Sequence, residues 1–222
     1  IAAFKASVDV SHKAGLAVIA QPIGPVVYAR EAVLNGADIL EHSAGGSYSI
    51  AHDPLHWKGW GNRELDSLDV RPYAEMDDAK AADLIRLMVA RHVFLELDLV
   101  AEGRGLHRQR KQWEAEDATL LSNPDLAYIP EGVRQKWLAN YTEFDEWSPA
   151  DRAQLQKGYE NYEKFVSIFV KAGGKVMAGD DTSFSGWAVP GVGIQHELEL
   201  MVDAGLSPMQ ALMAATRNPA EG

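Results

Sequence analysis

The chain contains no cysteine. Disulfides and thiolate-ligated metal sites are therefore excluded, and any metal must be held by imidazole and carboxylate. No apolar run approaches the ~20 residues that a membrane-spanning helix needs, so no membrane partner is expected. Cations are scarce: 21 Lys and Arg stand against 32 Asp and Glu, a formal net charge of −11. Phosphate backbones are gripped by basic faces, so this balance argues against a nucleic-acid partner. Histidine is absent between His12 and His42, a gap that matters below. The chain starts at Ile1 with neither Met nor a signal-peptide pattern and stops at Gly222 just past a helical pattern. Both ends are those expected of a piece of a longer protein, and the compartment stays open.

What is present is ordinary for a globular protein: 222 residues, 46% hydrophobic and 24% charged, enough for one large domain or part of one. Helical spacing is expected over residues 1–14, 25–35, 77–91, 148–172 and 193–204, with a further helix from Ser207. Ser148-Pro149-Ala150-Asp151 is a helix start, with a Ser cap, Pro at the first position and an acid in the first turn. Ser207 and Gln210 have capping-box spacing. Short apolar runs at 16–20, 37–42, 93–99 and 175–179 are expected as buried strands. Strands alternating with helices imply a parallel sheet. The helix-to-strand turns are short, at Gly15, Gly36, His92 and Gly173-Gly174. The strand-to-helix side is elaborated, with long loops over 43–75 and 100–147. In parallel α/β folds function sits on that side, at the C-terminal ends of the strands.

Two strand ends carry chemistry. Residues 175–183, KVMAGDDTS, run from apolar into two carboxylates and two hydroxyls. Strand alternation would send Asp180 and Asp181 to opposite faces. Residues 37–42, ADILEH, end on Glu41 and His42. A carboxylate and an imidazole at neighbouring strand ends suit a metal or a general acid–base site. Glu96 and Asp98 share one face of the third strand and would add charge there if they faced inward. His52 and His56 are separated by Pro54, which spoils a helical ligand pair, and are expected in a loop.

ADILEHSAGG at 37–46, VMAGDDTS at 176–183 and HELELMVDAGLSPMQALMAATRNPAE at 196–221 together resemble the amidohydrolase superfamily, in its imidazolonepropionase/prolidase-like branch. SNPDLAYIP at 122–130 is similar to an excursion in some members. The resemblance implies an α/β (β/α)8 TIM barrel, of which residues 1–222 would be a fragment holding about strands five to eight. It further implies a divalent metal at the barrel mouth, zinc as the first choice, with His42 and Asp181 as ligands. The strand-five histidine of the family has no counterpart: Gln21 stands near its place, and an amide oxygen binds a transition metal more weakly than imidazole. One ion rather than two is therefore expected.

The function that follows is metal-dependent hydrolysis of an amide-type C–N bond in a peptide, N-acyl amino acid or cyclic amide. Asp181 would take a proton from water and pass it to the leaving amine. Gln21 and His196 would contact substrate. Arg104 or Arg108, from a basic cluster at 104–111, would reach over the mouth and bind a substrate carboxylate. The partner is thus a small molecule or short peptide. Two other readings stay open: a catalytically inactive binding protein, favoured by Gln21, and a metal-free parallel α/β lyase using Asp181 and His42. Trp113, Tyr128, Trp137, Tyr141 and Trp147 would form a lid or dock the excursion onto the core. A homo-oligomer is possible, because a half-barrel leaves two sheet edges unpaired.

Overall fold

The computed structural model describes residues 1–22, 27–43, 46–53, 70–139, 141–142, 145–182 and 189–222. Four parallel strands form one sheet in the order β1 (Ile19–Ala20), β2 (Ile39–Leu40), β3 (Phe94–Glu96) and β4 (Val176–Met177). The register pairs Ile19 with Ile39, Leu40 with Leu95, and Glu96 with Met177. Sequence order equals spatial order, so each strand is followed by helical chain and then by its neighbour. The helices are α1 (Ala2–Lys13), α2 (Ala29–Leu34), α3 (Gly46–Ile50), α4 (Asp78–Ala90), α5 (Leu99–Gly103), α6 (Arg110–Leu121), α7 (Glu131–Ala139), α8 (Pro149–Lys171), α9 (Gly193–Asp203), α10 (Pro208–Ala214) and α11 (Arg217–Glu221).

Period-two alternation divides the strands between two layers. Ala20, Leu40, Leu95 and Val176 join the main core beneath the helices. Ile39, Phe94 and Met177 form a separate small cluster on the other face. That second face also carries Glu96, two residues beyond Phe94. The main core is built largely by α8, whose buried stripe of Leu155, Tyr159, Tyr162, Phe165, Val166 and Phe169 follows helical spacing. Each such side chain fully withdrawn from water contributes about 1.5–3 kcal/mol. Capping follows the sequence: Ser148 accepts from the Asp151 N–H, Asp77 from Ala79 and Lys80, and Ser207 forms its box with Gln210.

The four helix-to-strand turns share one device. Gly15, Gly36, His92 and Gly173 all have positive φ, which ends each preceding helix and swings the chain into the sheet. Three expectations need correction. The ladders are shorter than the apolar runs, because pairing stops where each chain turns at the mouth; Leu99, expected in a strand, instead begins α5. The segment 43–75 is not wholly loop, since it holds α3 and a 3-10 turn at Arg71–Glu75. Strand alternation does not govern Asp180 and Asp181, because the ladder has ended at Met177 and Asp181 is left-handed at φ 39°. Pro25, His56 and residues 183–188 lie outside the described residues. Among the described residues, no helix is long and apolar enough to cross a membrane.

β1 and β4 pair with no further strand among the described residues. Beside the β1 edge, Leu16 and Ile19 are 62% and 61% exposed. Open edges flanked by apolar side chains template further pairing. The isolated chain is therefore expected to self-associate, as light scattering coupled to size exclusion would show. A monodisperse, cooperatively melting monomer would contradict this.

Candidate active site

The strands are parallel, so their C-terminal ends meet on one side. There the chain takes left-handed backbone at His42 (φ 61°), Asp98 (φ 48°) and Asp181 (φ 39°). A non-glycine residue in that region costs about 1–3 kcal/mol, and such strain collects at functional sites. The turn after β2 brings the His42 ring onto Asp98 at the end of β3, with His42 Nδ1 against Asp98 Oδ2. His42 Nε2 lies 3.9 Å from Oε1 of the more exposed Glu41. Glu96 completes the group: one ligand atom each from His42, Glu96 and Asp98 lie within 4.8 Å of one another.

Two features press these groups together. Gly179, just past β4, packs so closely that a Cβ there would stand 1.3 Å from Glu96 Oε1 and 2.6 Å from Asp98 Oδ1. Only glycine admits both carboxylates. Behind them, the Ser43 hydroxyl donates to Glu102 Oε1 at 2.6 Å, and the Val100 N–H donates to Glu197 Oε2 at 2.7 Å. These bonds tie the turn after β2, the start of α5 and the middle of α9 into one buried layer.

Electrostatics at this point are extreme. Burial raises Glu96 far above the usual carboxylate range, with the adjacent Asp98 and Glu197 adding to the effect and the His42 backbone N–H opposing it. Glu197, fully buried, is likewise raised by desolvation and by Asp98. For His42, burial pulls downward, but the hydrogen bond and charge of Asp98, with Glu102 and Glu41, outweigh it and lift the imidazole to about 9. Burial raises Asp181, His42 opposes, and Asp98, Glu41 and Asp180 reinforce the rise. Among the described residues, Glu96 Oε2 and Asp98 Oδ1 find no hydrogen-bond donor although both are buried. Each such orphan costs about 1–3 kcal/mol. A half-buried imidazole with two carboxylates, two of whose oxygens lack donors, is a donor set that fits a divalent cation.

The other sequence candidates separate into groups. Asp181 stands at the mouth, exposed, within electrostatic reach of His42 and Asp98. Gln21 follows β1 directly and is exposed. His196 is 4% exposed and faces the excursion: it stacks on Trp113 at 4.6 Å, and His107 stacks on the same indole at 4.8 Å. Arg104 does not reach over the mouth. It is 2% exposed, donates to the Trp137 carbonyl at 2.8 Å, lies 3.6 Å from Asp117 and sits over the Tyr141 ring at 4.2 Å. Its role here is to pin the excursion. Arg108 is exposed and pairs with Asp203 at 2.8 Å, six residues and so about 9 Å along α9 from Glu197. Trp113, Trp137 and Tyr141 are likewise buried, as docking anchors, whereas Tyr128 is exposed. His52 lies 3.3 Å from Asp77, the cap of α4.

Glu102 and Glu197 were not singled out by sequence reasoning. For Glu197 a signal exists: Gly193, Leu200 and Met201 at helical spacing define a buried stripe, and Glu197 occupies it.

Two solved structures share this chain path. The chain is similar to one titled AH, bottromycin amidohydrolase, at TM-score 0.63 and 18% identity, covering 98% of this chain and 43% of that one. It is also similar to a Xaa-Pro dipeptidase with bound methionine in its active site, at TM-score 0.52 and 17% identity, covering 98% of this chain and 36% of that one. The chain thus spans less than half the length of either. No protein-family model matches it, and no curated protein does. At these identities the likeness is one of fold.

The His42 shift has a consequence for stability. An imidazole whose folded value lies near 9 against 6.5 stabilises the fold fully below pH 6.5 and loses that contribution as pH rises through about 9. The urea midpoint of chelator-treated protein should fall across this window, and Asp98→Asn should flatten the fall. A midpoint constant from pH 6.5 to 9 would contradict the pairing.

Proposed function

We propose that this chain is the C-terminal half of a (β/α)8 barrel, with β1 to β4 as its strands five to eight, and that it belongs to a metal-dependent hydrolase of amide-type C–N bonds. The observation that carries the reading is the convergence of His42, Glu96 and Asp98 at the ends of adjacent parallel strands. The shared chain path with an amidohydrolase and a dipeptidase supports it. A dipeptide or N-acyl amino acid is the substrate class nearest to both titles.

His42, Glu96 and Asp98 would hold one divalent ion, with zinc as the first choice for an imidazole–carboxylate set. When bound, such an ion supplies Lewis-acid charge that polarises a carbonyl and eases deprotonation of water. The chain's own residues do the rest. In the metal-free chain Asp98 holds the His42 ring by its Nδ1 and so keeps the imidazole beside the carboxylates that would share the ion. Asp181, held at the rim by left-handed backbone and less acidic than usual, takes the proton of the attacking water and returns it to the leaving amine. Gln21, at the end of β1, would donate to a substrate carbonyl. Its place there, instead of an imidazole, favours one ion and is the feature that supports an inactive binding protein as a second reading.

Turnover of a dipeptide and N-acyl amino acid panel by the parent polypeptide tests this. Activity should vanish on chelation and return with a divalent ion, and Asp181→Asn should lower kcat by about 10²–10⁴-fold. Activity that survives full metal removal would point to a metal-free lyase, and a folded protein inert in every metal state to the binding protein.

A further inference from the structure

Asp98 occupies the position directly before α5, where an Asp side chain ordinarily accepts from the second or third N–H of the helix. It makes no such bond. Its carboxylate is turned to the His42 ring instead. The capping is done from another helix: the Val100 N–H, the second of α5, donates to Glu197 Oε2 at 2.7 Å. Glu197 is fully buried in the stripe α9 turns toward α5. Glutamate at such a position is costly to bury, and a hydrophobic residue would continue the stripe. What the glutamate supplies is an acceptor that reaches across to the chain immediately after Asp98.

We propose that Glu197 is a positioning residue: by accepting the Val100 N–H from α9, it relieves Asp98 of capping α5 and leaves the Asp98 carboxylate to hold the His42 ring. The two arrangements are exclusive. Asp98 has one short side chain, and without an outside acceptor its own carboxylate is the nearest one for the Val100 N–H. It would then swing from the imidazole to the backbone, and the ring would lose the contact that fixes its orientation. Asp98 is left-handed (φ 48°, ψ 40°), so capping by its own carboxylate would also return that backbone to the extended region of an N-cap residue. This role deepens the metal-site reading of the previous section and rests on it for its consequence in catalysis, but the contact itself is read without metal or substrate.

The experiment follows the His42 Nδ1 proton by NMR in ¹⁵N-labelled, chelator-treated full chain, assigned by its absence in His42→Gln. A strongly hydrogen-bonded imidazole N–H gives a resolved downfield signal coupled to nitrogen. Wild type and Glu197→Gln, whose amide oxygen still accepts from the Val100 N–H, should show it. Glu197→Ala should lose it by at least tenfold in intensity while far-UV circular dichroism stays that of wild type. Should the alanine variant fail to fold, Glu197→Asp carries the test, because its carboxylate is withdrawn by one carbon–carbon bond, about 1.5 Å, and the signal should again be lost. A signal that persists in a folded Ala or Asp variant, or that disappears in a folded Gln variant, overturns the proposal. Because neither metal nor turnover enters the readout, an inert or metal-free protein would defeat the hydrolase reading and leave this result standing.

Discussion

The contact between His42 and Asp98 joins the ends of two adjacent strands, and much of the surrounding structure exists to make it. Parallel pairing of Leu40 with Leu95 sets β2 and β3 level, so His42, two residues beyond that pair, and Asp98, three beyond, come to nearly the same height. Left-handed backbone at both then folds the side chains inward over the sheet. Neither residue could reach the other from extended strand, where side chains alternate to opposite faces. The strain at these two turns is local, and the core that bears it lies on the other side of the sheet, under α8 and α4.

Around this pair the fold gathers more negative charge than a protein interior readily holds. Glu96, Asp98, Glu102 and Glu197 are wholly or largely removed from water, and His42 is the one imidazole among them. Some of that charge is neutralised by protonation, as the raised Glu96 and Glu197 indicate. Some is met by backbone N–H groups, at Val100 for Glu197 and at His42 for Glu96. What is left without donors, Glu96 Oε2 and Asp98 Oδ1, belongs to the two carboxylates grouped with His42. A purely structural network would satisfy these atoms, and a cation would do so here.

Much of this was legible in the sequence. The parallel α/β order, the helix caps and the elaborated side follow from local patterns, and each appears in the fold. His42 announced itself by ending an apolar run. Glu96 and Asp98 were seen to share a face, but their meeting with His42 depends on which strands are neighbours and at what register, which no local pattern states. Asp181 was placed by the resemblance, and the strand alternation expected to set it opposite Asp180 is not obeyed at its left-handed turn. Glu197 lies 99 residues from Asp98 in sequence, and only its place in a buried helical stripe hints that it faces inward. Arg104 misled because a basic cluster in an acidic chain resembles a binding surface; its burial against Asp117 and Tyr141 follows from the tertiary docking of the excursion.

The central claim is that the His42–Glu96–Asp98 group holds a divalent cation. Calorimetric titration of zinc into metal-free chain tests it most directly, beside His42→Ala and Asp98→Ala variants shown to be folded. The account predicts saturable binding of one ion per chain, weakened at least tenfold in both variants. No saturable binding, or binding unchanged when both side chains are removed, would contradict it.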